Sequence, residues 1–158
     1  MKKKILISTG GSGGHVIPAS ILYDHLKKDN EVLICSDVRG NKYLNNNLNN
    51  IKIINTPKLN NIFLLPFNIL IILQLIFKSY FLLRKEKISK LISTGGYMSL
   101  PLILASKILR LKIYLLEPNL VLGRANRFFL NSCEKIFCYS EKLKNFPEKF
   151  KDKIVKIY

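Results

Sequence analysis

Short, almost wholly apolar runs alternate with longer helix-length segments along most of this chain. The runs predict strands at Ile5–Thr9, Glu31–Ser36, Ile51–Asn55, Lys90–Thr94, Ile113–Glu117 and Lys135–Tyr139, and Lys153–Tyr158 resembles the start of another strand in a chain cut short. The segments between them predict helices at Val16–Lys28, Phe67–Lys85, Ser99–Leu109 and Gly123–Asn131, and a short helix followed by a turn within Arg39–Asn50. This alternation predicts a parallel, doubly wound, Rossmann-like α/β sheet in one domain, residues 1–158.

One of these segments is apolar enough to raise the question of a membrane span. Residues 61–77 carry no charge, and about 20 apolar residues suffice to cross a bilayer. Pro66 interrupts the segment, and Gln74, Lys78 and Lys85 share one face of the predicted helix. We therefore expect a crossover helix packed on the sheet. A second interpretation is that its surplus apolar face lies at a membrane interface, and the two roles can coexist on opposite faces of one helix.

Charge widens the choice of partners without deciding it. Lys and Arg total 26 against 10 acidic residues, a net charge of +16, which suits nucleic acid, an anionic membrane or a phosphorylated substrate. Lys, Asn and Ile together make up 57 of the 158 residues, and such a bias raises the charge without any selected partner. Nucleic-acid-binding motifs and metal-ligand clusters are absent from the sequence, so we expect neither nucleic acid nor a metal.

Cysteine spacing and the N-terminus bear on the compartment. Cys35, Cys133 and Cys138 form no C-x-x-C pair, and we expect reduced core residues of a cytosolic protein. The apolar run after Lys4 is too short for a signal-peptide core.

The hexapeptide Leu-Ile-Ser-Thr-Gly-Gly occurs twice, at Leu6–Gly11 and Leu91–Gly96. Paired glycines after a buried strand allow the backbone to approach a ligand, and ligands of doubly wound sheets bind beyond the carboxyl ends of the strands. The first copy continues into Ser12-Gly13-Gly14-His15. Free N–H groups at a helix start suit a diphosphate, although this loop is neither a P-loop nor a complete dinucleotide fingerprint.

Four further side chains lie at predicted strand ends. His15 opens a helix, where an imidazole can accept a proton or merely cap and pack. After the second copy, Tyr97 is available to stack or hydrogen-bond and Ser99 is a plausible N-cap. Glu117 points into the same crevice, or else pairs with a lysine or caps the next helix.

Three motifs together resemble those of the N-terminal domain of the MurG family of bacterial glycosyltransferases. In the family's order and spacing they are Gly10–Ala19, Gly95–Pro101, and Glu117-Pro118-Asn119 followed by Gly123 and Asn126. The family transfers N-acetylglucosamine from UDP-N-acetylglucosamine to undecaprenyl-diphospho-N-acetylmuramoyl-pentapeptide, in the synthesis of the peptidoglycan precursor. The resemblance implies the first half of a two-domain GT-B fold, a donor-binding C-terminal domain absent from this chain, and an inverting reaction without metal or cofactor.

The resemblance also implies a role for each matching residue. Donor contacts correspond to Ser12, Gly13, Gly14 and Asn119, and a second substrate-binding loop to Gly95, Gly96 and Tyr97. His15 and Glu117 correspond to catalytic residues, with His15 the candidate base for the muramoyl hydroxyl. Three positions depart from the family's His-Glu-Gln-Asn-Gly, namely Leu116, Pro118 and Leu120, and these changes remove an imidazole, an amide and a glycine beside Asn119.

The implied partners are UDP-N-acetylglucosamine, the lipid-linked muramoyl-pentapeptide and an anionic membrane surface, and the implied location is peripheral, at the cytoplasmic face of the bacterial plasma membrane. The domain alone is not expected to transfer sugar. One alternative is a stand-alone membrane-recruiting subunit that binds the acceptor and completes an active site with a separate catalytic chain. Another is a basic domain without enzymatic activity that binds nucleic acid or membrane.

Overall fold

The computed structural model describes residues 4–44, 51–57, 65–140 and 142–157 and contains one parallel sheet. Its strands are β1 (Lys4–Ser8), β2 (Glu31–Ser36), β3 (Ile51–Ile53), β4 (Lys90–Ser93), β5 (Lys112–Glu117), β6 (Lys135–Cys138) and β7 (Ile154–Lys156). They lie in the order β3-β2-β1-β4-β5-β6-β7. The order runs outwards in both directions from the β1/β4 pair, so the doubly wound parallel sheet predicted from the sequence is confirmed.

Helices cover this sheet on two faces. They are α1 (Gly13–Leu26), α2 (Val38–Asn41), α3 (Leu65–Lys85), α4 (Ser99–Ile108) and α5 (Arg124–Phe129), with 3₁₀ turns at Leu130–Ser132 and Glu148–Lys153. One core lies between the sheet and α3, α4 and α5, and includes Leu6, Leu91 and Leu102. A smaller core on the opposite face joins Ile7 and Ile34 to Val16 and Ala19 of α1. Alternate residues of β1 thus enter different cores, as a strand buried on both faces requires.

The predicted elements differ from the observed ones mainly at their ends. The first helix begins at Gly13, three residues before the predicted Val16, because Gly13 and Gly14 form its first turn behind the N-cap residue Ser12. Within the predicted helix and turn at 39–50, the structure has α2 at Val38–Asn41, and residues 45–50 lie outside the described part of the chain. All three cysteines are buried and reduced, as predicted.

The long apolar helix α3 packs along α4 with one face and leaves the other uncovered. Among the described residues, Pro66–Lys85 is one helix long and apolar enough to cross a membrane by length and composition, a test that buried core helices also pass. Only 22% of that window is buried. Gln74, Lys78 and Lys85 are all exposed, as predicted from their spacing. The helix therefore has one face packed on the domain and a second, apolar face open to the surroundings.

Candidate active site

The two hexapeptide copies lie side by side at the centre of the sheet. Their strands, β1 and β4, pair in parallel with Leu6 opposite Leu91 and Ser8 opposite Ser93. Beyond the strands, the hydroxyl of Thr94 donates to that of Thr9 over 2.9 Å. The two glycine pairs therefore begin at the same level, at the point where the winding of the sheet changes direction. Ligand crevices open at this point in doubly wound sheets.

The first glycine loop, Gly10–His15, keeps only part of its backbone free. The N–H of Gly11, a residue at φ +82°, donates to Oδ1 of Asp37 over 2.8 Å. The N–H groups of Ser12, Gly13 and Gly14 have no partner among the described residues, and the exposed Ser12 makes no side-chain capping bond. The start of α1 therefore presents free donors and a hydroxyl, which together suit an anionic ligand.

Asp37 occupies the end of β2, the position from which an acidic residue reads the ribose in dinucleotide-binding folds. Here both oxygens are engaged: Oδ1 accepts the N–H groups of Gly11 and Gly40, and Oδ2 accepts Nε and Nη2 of Arg39. Burial raises the pKa of this carboxyl. The hydrogen bonds and the guanidinium together lower the pKa by more than burial raises it, so the pKa lies below the usual range. The carboxylate is thus committed to the protein, which agrees with the incomplete dinucleotide fingerprint.

The second glycine loop, Gly95–Ser99, is held by its own strand end. Gly95 and Gly96 have φ of +89° and +82°, values that disfavour other residues, and the N–H of Gly95 donates to Oγ of Ser93 over 3.1 Å. The prediction that Ser99 caps α4 is wrong. The N-cap residue is Met98, and Ser99 is the first helical residue, whose hydroxyl donates to the carbonyl of Gly96 over 2.6 Å.

A cavity of about 300 Å³ lies where the second glycine loop meets the starts of α1 and α5. We call it the site cavity; its walls are His15, Gly95, Gly96, Tyr97, Leu100, Gly123, Arg124, Ala125, Asn126, Phe128 and Phe129. Four residues singled out in the sequence, namely His15, Gly95, Gly96 and Tyr97, thus meet in one place. The side chain of Arg124 has no acidic partner among the described residues, so the cavity wall carries an unpaired positive charge.

His15 enters this cavity without a protein partner for its ring. Its Nδ1 is buried and accepts no hydrogen bond from the described residues, and no hydrogen bond to Nε2 is formed either. A packed or capping histidine would have its buried nitrogen satisfied. The imidazole is therefore available to a substrate.

Glu117 lies behind the cavity wall. It is wholly buried, and its two oxygens accept four hydrogen bonds, from the backbone and side chain of Asn119, from the N–H of Gly123 and from the side chain of Asn126. Asn126 in turn packs its amide within 3.3 Å of the position that a Cβ on Gly95 would take. The carboxylate thus organises the loop after β5. Asn119 itself is exposed and does not line the cavity.

Leu116, which stands where the family pattern has a histidine, points away from the site cavity. Leu116 is 3% exposed and lines a separate cavity of about 360 Å³ together with Pro18, Ile21 and Phe137. The imidazole expected there from the family pattern would therefore face α1 and β6, on the opposite side of the strand from Glu117.

Sequence reasoning missed three residues that shape this site: Asp37, Arg39 and Phe128. Asp37 follows a predicted strand end, which was the available signal, but its partner Gly11 lies 26 positions earlier in the chain. Phe128 is 72% exposed and borders the cavity; an exposed phenylalanine two residues after Asn126 had no distinguishing pattern. Among the described residues, no group of three or more His, Cys, Asp or Glu could hold a metal ion.

Comparison with known proteins gives a consistent set of relatives. Residues 5–138 match the profile described as "Glycosyltransferase family 28 N-terminal domain". The chain is 57% identical over 155 residues to the "UDP-N-acetylglucosamine--N-acetylmuramyl-(pentapeptide) pyrophosphoryl-undecaprenol N-acetylglucosamine transferase" of Pelagibacter ubique, covering 98% of this chain and 44% of that protein. The protein of the same description from Rickettsia felis is 39% identical over 97% of this chain and 42% of its own length. The chain thus spans less than half the length of these relatives.

Solved structures agree with the fold. The crystal structure of Acinetobacter baumannii MurG matches with a TM-score of 0.81 at 23% identity, over 98% of this chain and 45% of that one. The UDP-GlcNAc 2-epimerase of Methanocaldococcus jannaschii matches with a TM-score of 0.69 at 16% identity, over 97% and 45% of the two chains. At these identities the likeness concerns the fold alone.

Proposed function

The chain belongs to glycosyltransferase family 28, whose N-terminal domain it forms, and on this premise we propose that it is the acceptor side of an N-acetylglucosaminyltransferase of peptidoglycan precursor synthesis. Its acceptor is then a muramoyl-pentapeptide linked through a diphosphate to undecaprenol, and its donor is UDP-N-acetylglucosamine. The remainder of the enzyme supplies the donor-binding domain.

The observation that carries this proposal is the site cavity with His15 in its wall. The glycines of the second loop and the unpaired Arg124 line this volume, and the free N–H groups of Ser12, Gly13 and Gly14 immediately precede His15 in the chain. These groups stabilise a diphosphate through hydrogen bonds and positive charge. An imidazole without a protein partner lies beside them, as a base for the sugar hydroxyl must.

In the proposed reaction His15 accepts the proton of the muramoyl hydroxyl while the oxygen of that hydroxyl attacks the anomeric carbon of N-acetylglucosamine. The new glycosidic bond forms as the bond from that carbon to UDP breaks, and the electron pair leaves with the diphosphate. Attack from the face opposite UDP inverts the anomeric carbon. No metal or cofactor is part of this proposal, and the charge on the departing diphosphate is met by the donor-binding domain.

A histidine base is normally oriented by a partner on its second nitrogen. The described residues offer none to Nδ1 of His15. We therefore assign that partner to the bound acceptor or to the donor-binding domain, so that the imidazole becomes oriented only in the assembled complex.

The exposed face of α3 supports attachment to a membrane surface. Its apolar stripe consists of Phe67, Leu70, Leu73, Phe77 and Phe81, which are between 52% and 65% exposed. The buried face of the same helix contains the polar Asn68 and Ser79. The buried face also contains the apolar Ile72 and Leu83. A surface helix of a water-soluble domain presents mainly polar residues on its exposed face, so the stripe suits the apolar boundary of a bilayer. The proposed location is the cytoplasmic face of the plasma membrane, held peripherally.

Vesicle sedimentation tests this membrane proposal. The chain should bind vesicles of phosphatidylglycerol more tightly than vesicles of phosphatidylcholine, because each Lys or Arg near an anionic surface contributes about 1 kcal/mol. Phe77→Glu should abolish binding, whereas Ile21→Glu, a matched change of an exposed residue on α1, should leave it unchanged. Equal binding by both variants would contradict a role for the stripe.

Backbone NMR tests the acceptor site. The proposal places the acceptor's diphosphate at Gly13 and Gly14, in place of the donor contact that the resemblance implies. On titration with a short-chain prenyl-diphospho-muramoyl-pentapeptide, we therefore expect the amide signals of Gly13, Gly14, Gly95 and Gly96 to shift. Lys112, the first residue of β5, lies at the amino ends of the strands, and its signal should stay in place. Shifts spread evenly over the basic surface would instead favour a non-enzymatic charged domain.

A further inference from the structure

The loops that follow β1 and β2 are joined more closely than neighbouring loops usually are. A Cβ built on Gly40 would lie 2.6 Å from the Cα of Gly10, and a Cβ on Gly10 would lie 2.8 Å from Oδ1 of Asp37. Real Cβ atoms do not come so close to backbone atoms. Both glycines are therefore required by the close approach of the two loops, and Asp37 lies at their junction.

Asp37 bridges this junction with one oxygen. Its Oδ1 accepts the N–H of Gly11 over 2.8 Å in the first glycine loop and the N–H of Gly40 over 2.7 Å in α2. The side chain is 8% exposed. Charge-assisted bonds to two amides in a nearly dry position fix both loops strongly.

The Gly11 bond decides which donors the first glycine loop offers. Gly11 has φ +82° and turns its N–H towards Asp37. After Gly11, the free N–H groups of the loop are those of Ser12, Gly13 and Gly14, at the start of α1. A loop already held in this arrangement does not lose conformational entropy when it binds a ligand.

A carboxylate beside an anion site would repel the anion, and Arg39 prevents this by neutralising the charge of Asp37. Its Nε and Nη2 donate to Oδ2 of Asp37 over 3.1 Å and 2.9 Å. The pair is neutral as a whole, so Asp37 fixes the loop without repelling a diphosphate. The guanidinium is 55% exposed, and its remaining N–H groups face outwards.

We propose that Asp37 is a positioning residue for the diphosphate subsite: with Arg39 neutralising it, its carboxylate holds the first glycine loop in the conformation that directs the N–H groups of Ser12, Gly13 and Gly14 at the ligand. The inference rests on the proposed function for the identity of the ligand. The contact between Asp37 and Gly11 does not depend on it.

The test compares the unchanged chain with Asp37→Ala and Asp37→Asn. Two quantities are measured: the hydrogen-exchange rate of the Gly11 amide, and the Kd for geranyl diphosphate. In Asp37→Ala the Gly11 amide should exchange at least about tenfold faster and the Kd should rise about tenfold, as expected for the loss of one charge-assisted hydrogen bond. In Asp37→Asn the amide oxygen can still accept both N–H groups but without the negative charge, so both quantities should change less than in Asp37→Ala.

Glu86→Ala is the matched control. Glu86 also pairs with a cation, Lys4, over 2.6 Å, but at the amino ends of the strands, far from the glycine loops. It should lower stability without changing the Kd. If Asp37→Ala does not fold, Asp37→Ser replaces it, because the shorter side chain cannot reach both amides. Scalar coupling across the hydrogen bond between the Gly11 amide nitrogen and the Asp37 carboxyl carbon is measured in the unchanged chain.

Two results would overturn the inference: absence of that coupling, or a folded Asp37→Ala that binds geranyl diphosphate as tightly as Glu86→Ala does. Failure of the unchanged chain to bind geranyl diphosphate would count against the proposed acceptor site instead. The Gly11 exchange rate would still decide whether Asp37 holds the loop.

Discussion

Two copies of one hexapeptide end adjacent strands of this protein, and their glycines are put to different uses. In the first copy, Leu6–Gly11, the N–H of Gly11 donates to a neighbouring loop. In the second, Leu91–Gly96, the N–H of Gly95 donates to Ser93 within the same copy. The second pair lines the site cavity and the first does not. Identical local sequence thus produces two adjacent strands that end at the same level, but the turns differ: Gly10 is extended at φ +159°, whereas Gly95 has φ +89°.

Each copy is supported by a buried carboxylate from the strand on its outer side. Asp37, after β2, bonds directly to the first copy and is neutralised by Arg39. Glu117, the last residue of β5, acts on the second copy through Asn126, and its four donors are all uncharged N–H groups. The first support is an ion pair open to solvent on one side, and the second is a closed network. We expect the closed network to contribute more to stability.

The largest effect should come from removing the second support. Glu117→Ala removes the acceptor of the Gly123 N–H and of the buried Asn126 amide, and each buried unsatisfied donor costs about 1–3 kcal/mol. We expect the free energy of unfolding to fall by about 3 kcal/mol or more in urea denaturation, and by less in Asp37→Ala. A greater loss for Asp37→Ala would reverse the ranking of the two supports.

Glycine substitutions separate close approach from backbone conformation. Gly40→Ala places a methyl group against Gly10 and Ser36, and such overpacking costs about 1–3 kcal/mol. A Cβ on Gly96 would have nothing within 4 Å, so Gly96→Ala bears only its φ of +82° and should cost about 1 kcal/mol. Chemical denaturation of both variants checks the order. Equal losses would mean that the contact between the first two loops is looser than described.

Acidification should weaken the first support. Because the pKa of Asp37 is lowered in the folded protein, the unfolded chain binds a proton more readily than the folded chain does. The contribution of Asp37 to stability is therefore fully present above about pH 4, the ordinary range for an aspartate, and is lost as the pH falls through the lowered pKa. The difference in stability between the unchanged chain and Asp37→Asn should shrink as the pH falls below about 4. A difference that stays constant over this range would contradict the assigned direction.

The smallest effect concerns the exposure of two buried thiols on strands β2 and β6. In the sheet, Cys35 lies opposite Ser8 of the first copy, and Cys138 lies opposite Glu117. Burial raises the pKa of the Cys35 thiol to about 12, so it should not react with DTNB in the native state. We expect Asp37→Ala to speed the labelling of Cys35 and Glu117→Ala to speed that of Cys138. Mass spectrometry of labelled peptides checks this, and acceleration of both thiols by either variant would show that the two supports open together.

The alternation of apolar runs with helix-length segments was enough to predict the sheet, because each buried strand is a continuous apolar run in the sequence. The predicted Glu31–Ser36 and Ser99–Leu109 differ from the observed β2 and α4 by at most one residue. The start of α1 was missed because glycines favour turns in isolation, and here Gly13 and Gly14 are helical behind Ser12. Helix ends depend on such tertiary context more than helix interiors do.

The site was predictable only as far as chemistry lay in contiguous motifs. His15 and the glycines of both loops declared themselves in the sequence, and the structure brings His15, Gly95 and Gly96 together. The partner of Gly11 could not be predicted, because a hydrogen bond between the loops of two neighbouring strands depends on the order of the strands in the sheet. The donors to Glu117 lie within the motif that follows it, but their contacts with its two oxygens depend on the fold of that loop. The catalytic role implied for His15 stays a prediction. For Glu117 we now propose positioning of the loop after β5, since its oxygens are already engaged by four protein donors.

The most direct test of the account is a transfer assay with labelled UDP-N-acetylglucosamine and a short-chain muramoyl lipid acceptor. It compares the chain alone, the chain joined to the C-terminal part of the Pelagibacter ubique relative, and the joined protein with His15→Ala. We expect transfer only by the joined protein, with kcat lowered about 10²–10⁴-fold by His15→Ala, the usual contribution of a general base. A folded joined protein that transfers no sugar, or full activity with His15→Ala, would contradict the account.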